Sequence, residues 1–463
     1  MVNKHATLAA LFTDIADAIR EKTGDAASIV ADDFPSVIRK RLQVIPPYYL
    51  TFSSPNSFTL AVNDATKHWD GTLEYSTDTS TWSTWDGVTT LSSATSGSYN
   101  VLYLRGTGNT KIGYYEANTE VYIPWVINGT DVRCDGNIET LLDYATVEAG
   151  QHPTMADDCF GGLFMRCTSL TKAPDLPVTT LASYCYRSMF SGCTSLTQAP
   201  ALPATTLATR CYSAMFSRCT SPTQAPALPA TTLENYCYHQ MFFGCTALIQ
   251  APALPATTLA KGCYYYMFDD CTSLTQAPAL PATTLAYDCY SYMFNSCTSL
   301  TQAPALPATT LARYCYYNMF NSCTSLTKAP ALPATMLAND CYSNMFYDCT
   351  SLTQAPALPA TTLADSCYYA MFQGCTSLTQ APALPATTLA DRCYDSMFRS
   401  CKKIKLSSTK TDKYTIAYRI PTTGTGTTAS MALNNMFYRT GGTFNDTPVI
   451  NTTYYLDNSN TIV

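Results

Sequence analysis

One nine-residue pattern, Cys-Tyr-x-x-Met-Phe-x-x-Cys, returns every 26 residues and constrains this chain more than any other feature. CYHQMFFGC (237–245), CYYYMFDDC (263–271) and CYDSMFRSC (393–401) are three of ten copies, and nine of the ten keep all five named residues. The remaining copy, CFGGLFMRC (159–167), opens the array in degenerate form. Self-similarity at a fixed period of this size marks stacked structural repeats, in which each unit buries its apolar face only against its neighbours. The full unit, typified by CTSLTQAPALPATTLAYDCYSYMFNS at 271–296, runs nearly unchanged from about residue 155 to 405.

Within a unit, the stretch TQAPALPATTLA carries two prolines, which forbid a long ladder-paired strand and predict a short extended segment and a tight turn. The nine-residue pattern predicts a short helix. At about 100° per residue the fixed Cys, Tyr, Met, Phe and Cys share one arc, and the six variable positions occupy the rest of the circle. These six are two before the first Cys, two after Tyr and two after Phe. The fixed face is then the buried stripe and the variable face points at solvent.

Twenty of the 21 cysteines fall in the ten Cys-x7-Cys pairs, and Cys134 is left over. Partners eight residues apart on a helix lie about 12 Å from each other, too far to bridge. Bridges between neighbouring units would pair only alternate neighbours and break their equivalence. Reduced thiols acting as small apolar core residues are therefore expected. Only four histidines exist, none at zinc-finger spacing, so neither a metal nor another cofactor is expected.

MFNSCTSL at 293–300 and again at 319–326 gives Phe-x-x-Cys-x-x-Leu, which resembles the BspA-like class of leucine-rich repeats. That resemblance implies an α+β repeat fold, a leucine-rich-repeat solenoid of 26-residue units over 159–405. The unit is longer than usual for that class and has Cys-Tyr-x-x-Met-Phe where Ala-Phe is typical. Ser221-Pro222 also replaces the Ser-Leu of the other copies. Members of the class are mostly surface adhesins and binding proteins rather than enzymes. A second resemblance lies in LFTDIADAIREKTGDAASIVADDFPSVI (11–38), which looks like a helical module near the N-termini of phage and prophage tail-associated proteins. On its own terms it predicts an amphipathic helix with Leu8, Leu11, Phe12, Ile15 and Ile19 on one face, ended by Gly24.

The remaining segments complete a domain plan. Residues 1–45 form a helical attachment or assembly segment. Residues 46–125 alternate apolar and polar residues between Gly, Asp and Ser turns, which predicts a small antiparallel β domain of sandwich type. Residues 126–158 cap the array at its N-terminal side. Residues 406–463 close it, with NNMFYRT inside SMALNNMFYRTGG (430–442) resembling the repeat pattern without its cysteines and β-hairpin material around it. In the β domain, Trp82 and Trp85 of STWSTWDG suggest either a carbohydrate-stacking platform or core and hairpin residues.

Function is expected on the variable face. Its tyrosines are Tyr184, Tyr236, Tyr265, Tyr266, Tyr287, Tyr292, Tyr314, Tyr317, Tyr347 and Tyr369, and His239, Arg313 and Arg392 join them. Tyr with Ser, Gly and Asn is the alphabet of antibody combining sites, where rigid aromatic area comes at low entropy cost. Unconstrained drift would favour helix formers such as Glu, Lys and Ala, which are scarce there. Charged residues are 13% of the chain and the net charge is −6, which leaves no basic footprint for nucleic acid. No run of 18 apolar residues and no secretory signal appear, so membrane insertion is not expected. No nucleophile-plus-base set recurs, and His5, His68, His152 and His239 sit in unrelated contexts, so an enzyme is not expected. The leading expectation is a phage tail-associated receptor-binding protein that contacts a bacterial surface glycan or protein, joins tail components through its N-terminal region and resides in the virion tail. By analogy with tail fibres, a homotrimer is implied. The alternative is a bacterial cell-surface adhesin of the BspA-like class.

Overall fold

The computed structural model describes residues 48–116, 121–421 and 431–463. The N-terminal segment 1–45 and its expected helix lie outside the described residues. The first part is built of strands β1 (Leu50–Ser54), β2 (Thr59–Val62), β3 (Thr72–Ser76), β4 (Ser83–Thr84), β5 (Leu91–Ser92), β6 (Ala94–Ser96) and β7 (Tyr99–Thr107). Then come β8 (Tyr115–Glu116), β9 (Val121–Tyr122), β10 (Trp125–Asn128), β11 (Val132–Asp135), helix α1 (Thr140–Glu148) and β12 (Leu170–Lys172).

One sheet runs β12-β11-β1-β7-β3-β4, with β6 also on β7, and a second runs β10-β2-β5. Alternating burial along β1 and β2 follows the pleat, so Leu50, Phe52, Leu60 and Val62 face one core. Pairing crosses the boundary expected at residues 125/126. Trp125–Asn128 pairs with β2, Val132–Asp135 pairs with β1, and β11 continues in parallel onto β12 of the first repeat unit. The segment expected to cap the array thus joins both sheets of the β domain and also carries β11 onto the first repeat unit. Helix α1 packs on β7, and Gly106 allows it: any Cβ there would run into the Leu141 carbonyl.

The repeat units stack directly on one another, and their main chain is not helical. Among the described residues α1 is the one α-helix. In residues 262–271 the amides of Cys263, Tyr265, Met267, Asp269 and Cys271 each donate to the carbonyl three residues back. The intervening amides of Gly262, Tyr264, Tyr266, Phe268 and Asp270 donate to the next unit, reaching Tyr287, Cys289, Ser291, Met293 and Asn295. Tight turns thus alternate with lateral bonds, so every amide of the stretch is used. Every fourth residue, here Gly262, Tyr266 and Asp270, has positive φ and sits third in its turn, as a type II turn requires.

This corrects the expected helix. A helix spends its amides internally and could not bond to the next unit, whereas this chain of turns does both. Its period is four residues, which places Cys-Tyr, Met-Phe and Cys inward in every cycle and the variable pairs outward. The Pro-rich segments make only isolated parallel bridges between units, such as Gln224–Gln250 and Thr284–Thr310.

Two aromatic ladders form the core. Phe160 and the Tyr of each later copy stack at 5.7–5.9 Å with nearly parallel rings from residue 160 to 394. The Phe ladder runs from Phe164 to Phe398 and on to Phe437, so the NNMFYRT segment adds one more rung. Each pair adds about 0.5–1.5 kcal/mol beyond area burial. All 21 cysteines are free and buried. The second Cys of each copy has a role: Cys297 Sγ donates to the Phe268 carbonyl at 3.1 Å, and the same bond recurs from Cys193 to Cys401. Burial pushes the Cys219 thiol up to about 12, so the donor proton stays in place.

Towards the far end β13 (Gln380–Ala381) is followed by β14 (Lys405–Ser407), β15 (Tyr414–Arg419), β16 (Gly441–Gly442) and β17 (Thr453–Asp457), the last four forming a sheet ordered β15-β17-β14-β16. The last strand, Thr461–Ile462, lies parallel on Gln380–Ala381. Among the described residues no helix is long and apolar enough to cross a membrane.

Candidate recognition surface

The four-residue cycle puts two variable side chains outward per turn, and units spaced under 6 Å press these side chains against their counterparts above and below. Most outer tyrosines are therefore half-buried, with one edge exposed; Tyr287 is the most open at 39%. Arg313 and Arg392 are exposed.

Nine of the expected residues meet in one patch across four units. Tyr266 stacks on Tyr292 at 4.3 Å, and Tyr265 packs edge-on to Tyr266 at 4.3 Å. His239 stacks on Tyr265 at 5.4 Å and touches Tyr236 edge-on at 5.9 Å. Tyr317 joins Tyr292 at 5.4 Å and Tyr314 at 5.5 Å, and Tyr314 reaches Tyr287 at 5.8 Å. Arg313 belongs to the patch, with its guanidinium 4.5 Å over the Tyr314 ring and a 2.6 Å hydrogen bond to the Tyr314 hydroxyl. The other expected residues lie elsewhere. Tyr347 accepts from Gln373, Arg392 sits 4.5 Å over Tyr369 and donates to Asp395, and Tyr184 lies near Arg187.

Titratable groups in the patch are shifted by burial. His239 is held down to about 3 by desolvation and then by Arg210 and Arg187, so it is neutral at neutral pH and its ring is available for stacking. Asp288 is raised to about 6 by desolvation, against the pull of Lys261 and Arg313. The Tyr292 hydroxyl is pushed up to about 12, chiefly by desolvation. The patch thus presents ring faces and a protonated Tyr292 hydroxyl beside the Asp288 carboxyl. Among the described residues no group of three or more His, Cys, Asp or Glu is placed to hold a metal ion.

The backbone adds an independent observation. Tyr184, Tyr236, Tyr266, Tyr292 and Tyr314 all sit at positive φ between 56° and 59°. That region costs a non-glycine residue about 1–2 kcal/mol. Gly262 occupies the position equivalent to Tyr184, Tyr236 and Tyr314, and Gly162 that equivalent to Tyr266 and Tyr292, so the fold accepts the cheaper residue. Bulky side chains persist at strained outward sites where packing of the core does not demand them.

Residues 231–353 and 288–419 match the BspA type leucine rich repeat region, in six copies. This part of the chain is thus similar to the repeats of that family. No curated protein and no solved structure matches the chain.

Two residues of the patch escaped the sequence reading. Arg210 lies 4.5 Å over Tyr236, and Lys261 reaches both Tyr236 and Tyr287 at 5.7 and 4.9 Å. Aligning the units in columns 26 residues apart would have placed both beside the tyrosines. The tryptophan pair does not form a platform. Trp85 is 1% exposed, packed against Trp69 and Trp125, and bonds the Thr89 carbonyl, while the Trp82 face is covered by Arg105 at 4.1 Å. Grooves between Pro-rich segments exist too, one of about 680 Å³ between Gln302–Pro307 and Thr327–Pro333. Their lining scarcely differs from unit to unit, in contrast to the tyrosine face.

Proposed function

We propose that this chain is a recognition protein whose variable tyrosine face binds a bacterial surface glycan or protein. The units stack as a solenoid in this reading, and the face spans several of them. The observation that carries it is the contiguous patch of Tyr236, His239, Tyr265, Tyr266, Tyr287, Tyr292, Tyr314 and Tyr317, several of them kept at strained backbone positions. The setting is a phage tail: the N-terminal segment, through its resemblance to tail-associated modules, attaches a trimer to tail components, and the array meets the host. No catalytic step is assigned to it. The BspA-type match favours a second reading, a bacterial cell-surface adhesin that uses the same face on a host protein or glycan.

Binding of the fluorescently labelled full chain to a panel of intact bacteria tests the proposal, beside a variant with the ten outer tyrosines changed to Ser. Strain-selective binding that the Ser variant loses supports it. Equal binding by both chains, or none by either, moves recognition away from this face. Selective binding to animal cells instead of bacteria supports the adhesin.

A further inference from the structure

One edge of the patch has an order that the tyrosines alone do not explain. Reading outward positions of five successive units gives Arg210, Tyr236, Lys261, Tyr287 and Arg313, cations on alternate units with a tyrosine between each pair. They are in mutual contact: Arg210 over Tyr236, Lys261 between Tyr236 and Tyr287, and Tyr287 against Tyr314 under Arg313. The buried ladder beneath fixes the unit spacing, with Tyr212, Tyr238, Tyr264, Tyr290 and Tyr316 at 5.7–5.9 Å steps. The positive charges therefore recur on every second unit, Arg210 one residue before its first Cys and Lys261 and Arg313 two before theirs.

Local structure holds the row in place. Gly262 stands where other units carry a side chain, and a Cβ there would fall inside the Tyr236 ring, so its absence lets that ring lie across the next unit. Among the described residues Arg210 and Lys261 form no ion pair, while Arg313 has Asp340 at 3.7 Å. Two of the three charges are thus left for a ligand, and Asp288 lies between Lys261 and Arg313.

We propose that this row binds a linear acidic polysaccharide bearing one carboxylate on every second sugar, laid along the stack. The inference rests on the recognition reading and names its ligand class. Tyrosine faces cover the apolar faces of alternate sugars, and each cation meets the carboxylate of the sugar between, a charge-assisted contact stronger than a neutral one. A polymer charged at every residue, such as a nucleic acid, would place half of its charges over tyrosines.

The test measures binding of the full chain by calorimetry to three oligosaccharides of equal length. These are hyaluronan (glucuronate on alternate sugars), oligogalacturonate (acid on every sugar) and uncharged N-acetylglucosamine oligomers. Hyaluronan is expected to bind about tenfold or more tighter than either other, weakening steeply with salt. The triple variant Arg210→Gln, Lys261→Gln, Arg313→Gln is expected to lose that preference while melting like the parent. Equal binding of the three oligosaccharides, no binding of hyaluronan, or an unchanged triple variant overturns the inference. If the Gln variant still binds cells strain-selectively, the acidic-polymer inference falls and the recognition reading stands. If the Ser variant binds cells like the parent, the recognition reading itself falls.

Discussion

Tyr290 and Tyr292 are two residues apart on the same chain of turns, and they are held in opposite ways. Tyr290 is fully buried, its ring parallel to those of Tyr264 and Tyr316 at 5.7 and 5.8 Å. Tyr292 sits at φ 56°, stacks on Tyr266 at 4.3 Å and meets Tyr317 edge-on. The inner ring is where backbone and core both want an aromatic. The outer ring is where the backbone would prefer glycine. Inside, every step of the ladder repeats the last; outside, the ring geometry changes from one unit to the next. One scaffold therefore carries an invariant interior and a surface whose shape is written unit by unit.

The largest expected effect breaks the inner side of this comparison. Phe294→Ala empties a rung between Phe268 and Phe320, each 5.7 Å away, and should cost about 3–5 kcal/mol in denaturant unfolding. Tyr292→Ala, beside it but outside, should cost far less, since the half-buried ring it removes leaves no enclosed cavity. Equal losses would mean that the outer face is core in disguise. Next in size is Cys297→Ala, which removes the thiol donor to Phe268 and leaves a small void, about 1–2 kcal/mol. The companion measurement is thiol titration: none of the 21 cysteines should react with a thiol reagent until the protein unfolds, because burial keeps them protonated.

A smaller effect separates the faces by pH. Asp269 is raised to about 6, mainly by desolvation, with the Asn295 amide at 2.6 Å pulling the other way. The folded form of this carboxyl holds its proton to higher pH than the unfolded chain does. Its contribution is therefore neutral below about pH 4, turns unfavourable as pH rises through 6 and stays so above. Asp269→Asn should raise the melting temperature at pH 8 and leave it unchanged at pH 3.5. A gain of equal size at both pH values would show that the carboxylate charge is not the cause.

Much of this was legible in the sequence, and the failures are specific. The 26-residue recurrence placed the units, and the inward set of Cys, Tyr, Met, Phe and Cys was read correctly because nine residues are too few to separate a period of 3.6 from one of four. The same ambiguity produced the helix. An exact four-residue spacing of Cys185, Met189 and Cys193, and of Tyr186 and Phe190, was the signal for turns. Positive φ at Tyr266 or Arg210 could not be read, since neither residue favours that region and only the lateral bonding between units enforces it. The pairing of β10 and β11 into the β domain is not legible in the sequence, because their partners, β2 and β1, lie some 65 to 85 positions earlier. The patch was legible as a set of residue types. Which tyrosines meet depends on neighbours one unit away, and that requires the stacking itself.

The smallest effect asks whether the outward backbone positions are strained as the comparison supposes. Ala214 has φ 54° and only a methyl group to lose, so Ala214→Gly changes little except conformational cost. An L-residue in that region pays about 1–2 kcal/mol, and glycine returns about 0.5–1 kcal/mol of it through its larger unfolded-state entropy. The net expectation is a stabilisation of about 0.5 kcal/mol. The matched control, Ala230→Gly, concerns a buried residue without positive φ and should destabilise by about 1 kcal/mol. One substitution made at two sites in adjacent units should thus give opposite signs in denaturant unfolding. If both destabilise, the outward positions bear no strain, and the persistence of tyrosine and arginine there no longer points to a demand from outside the fold.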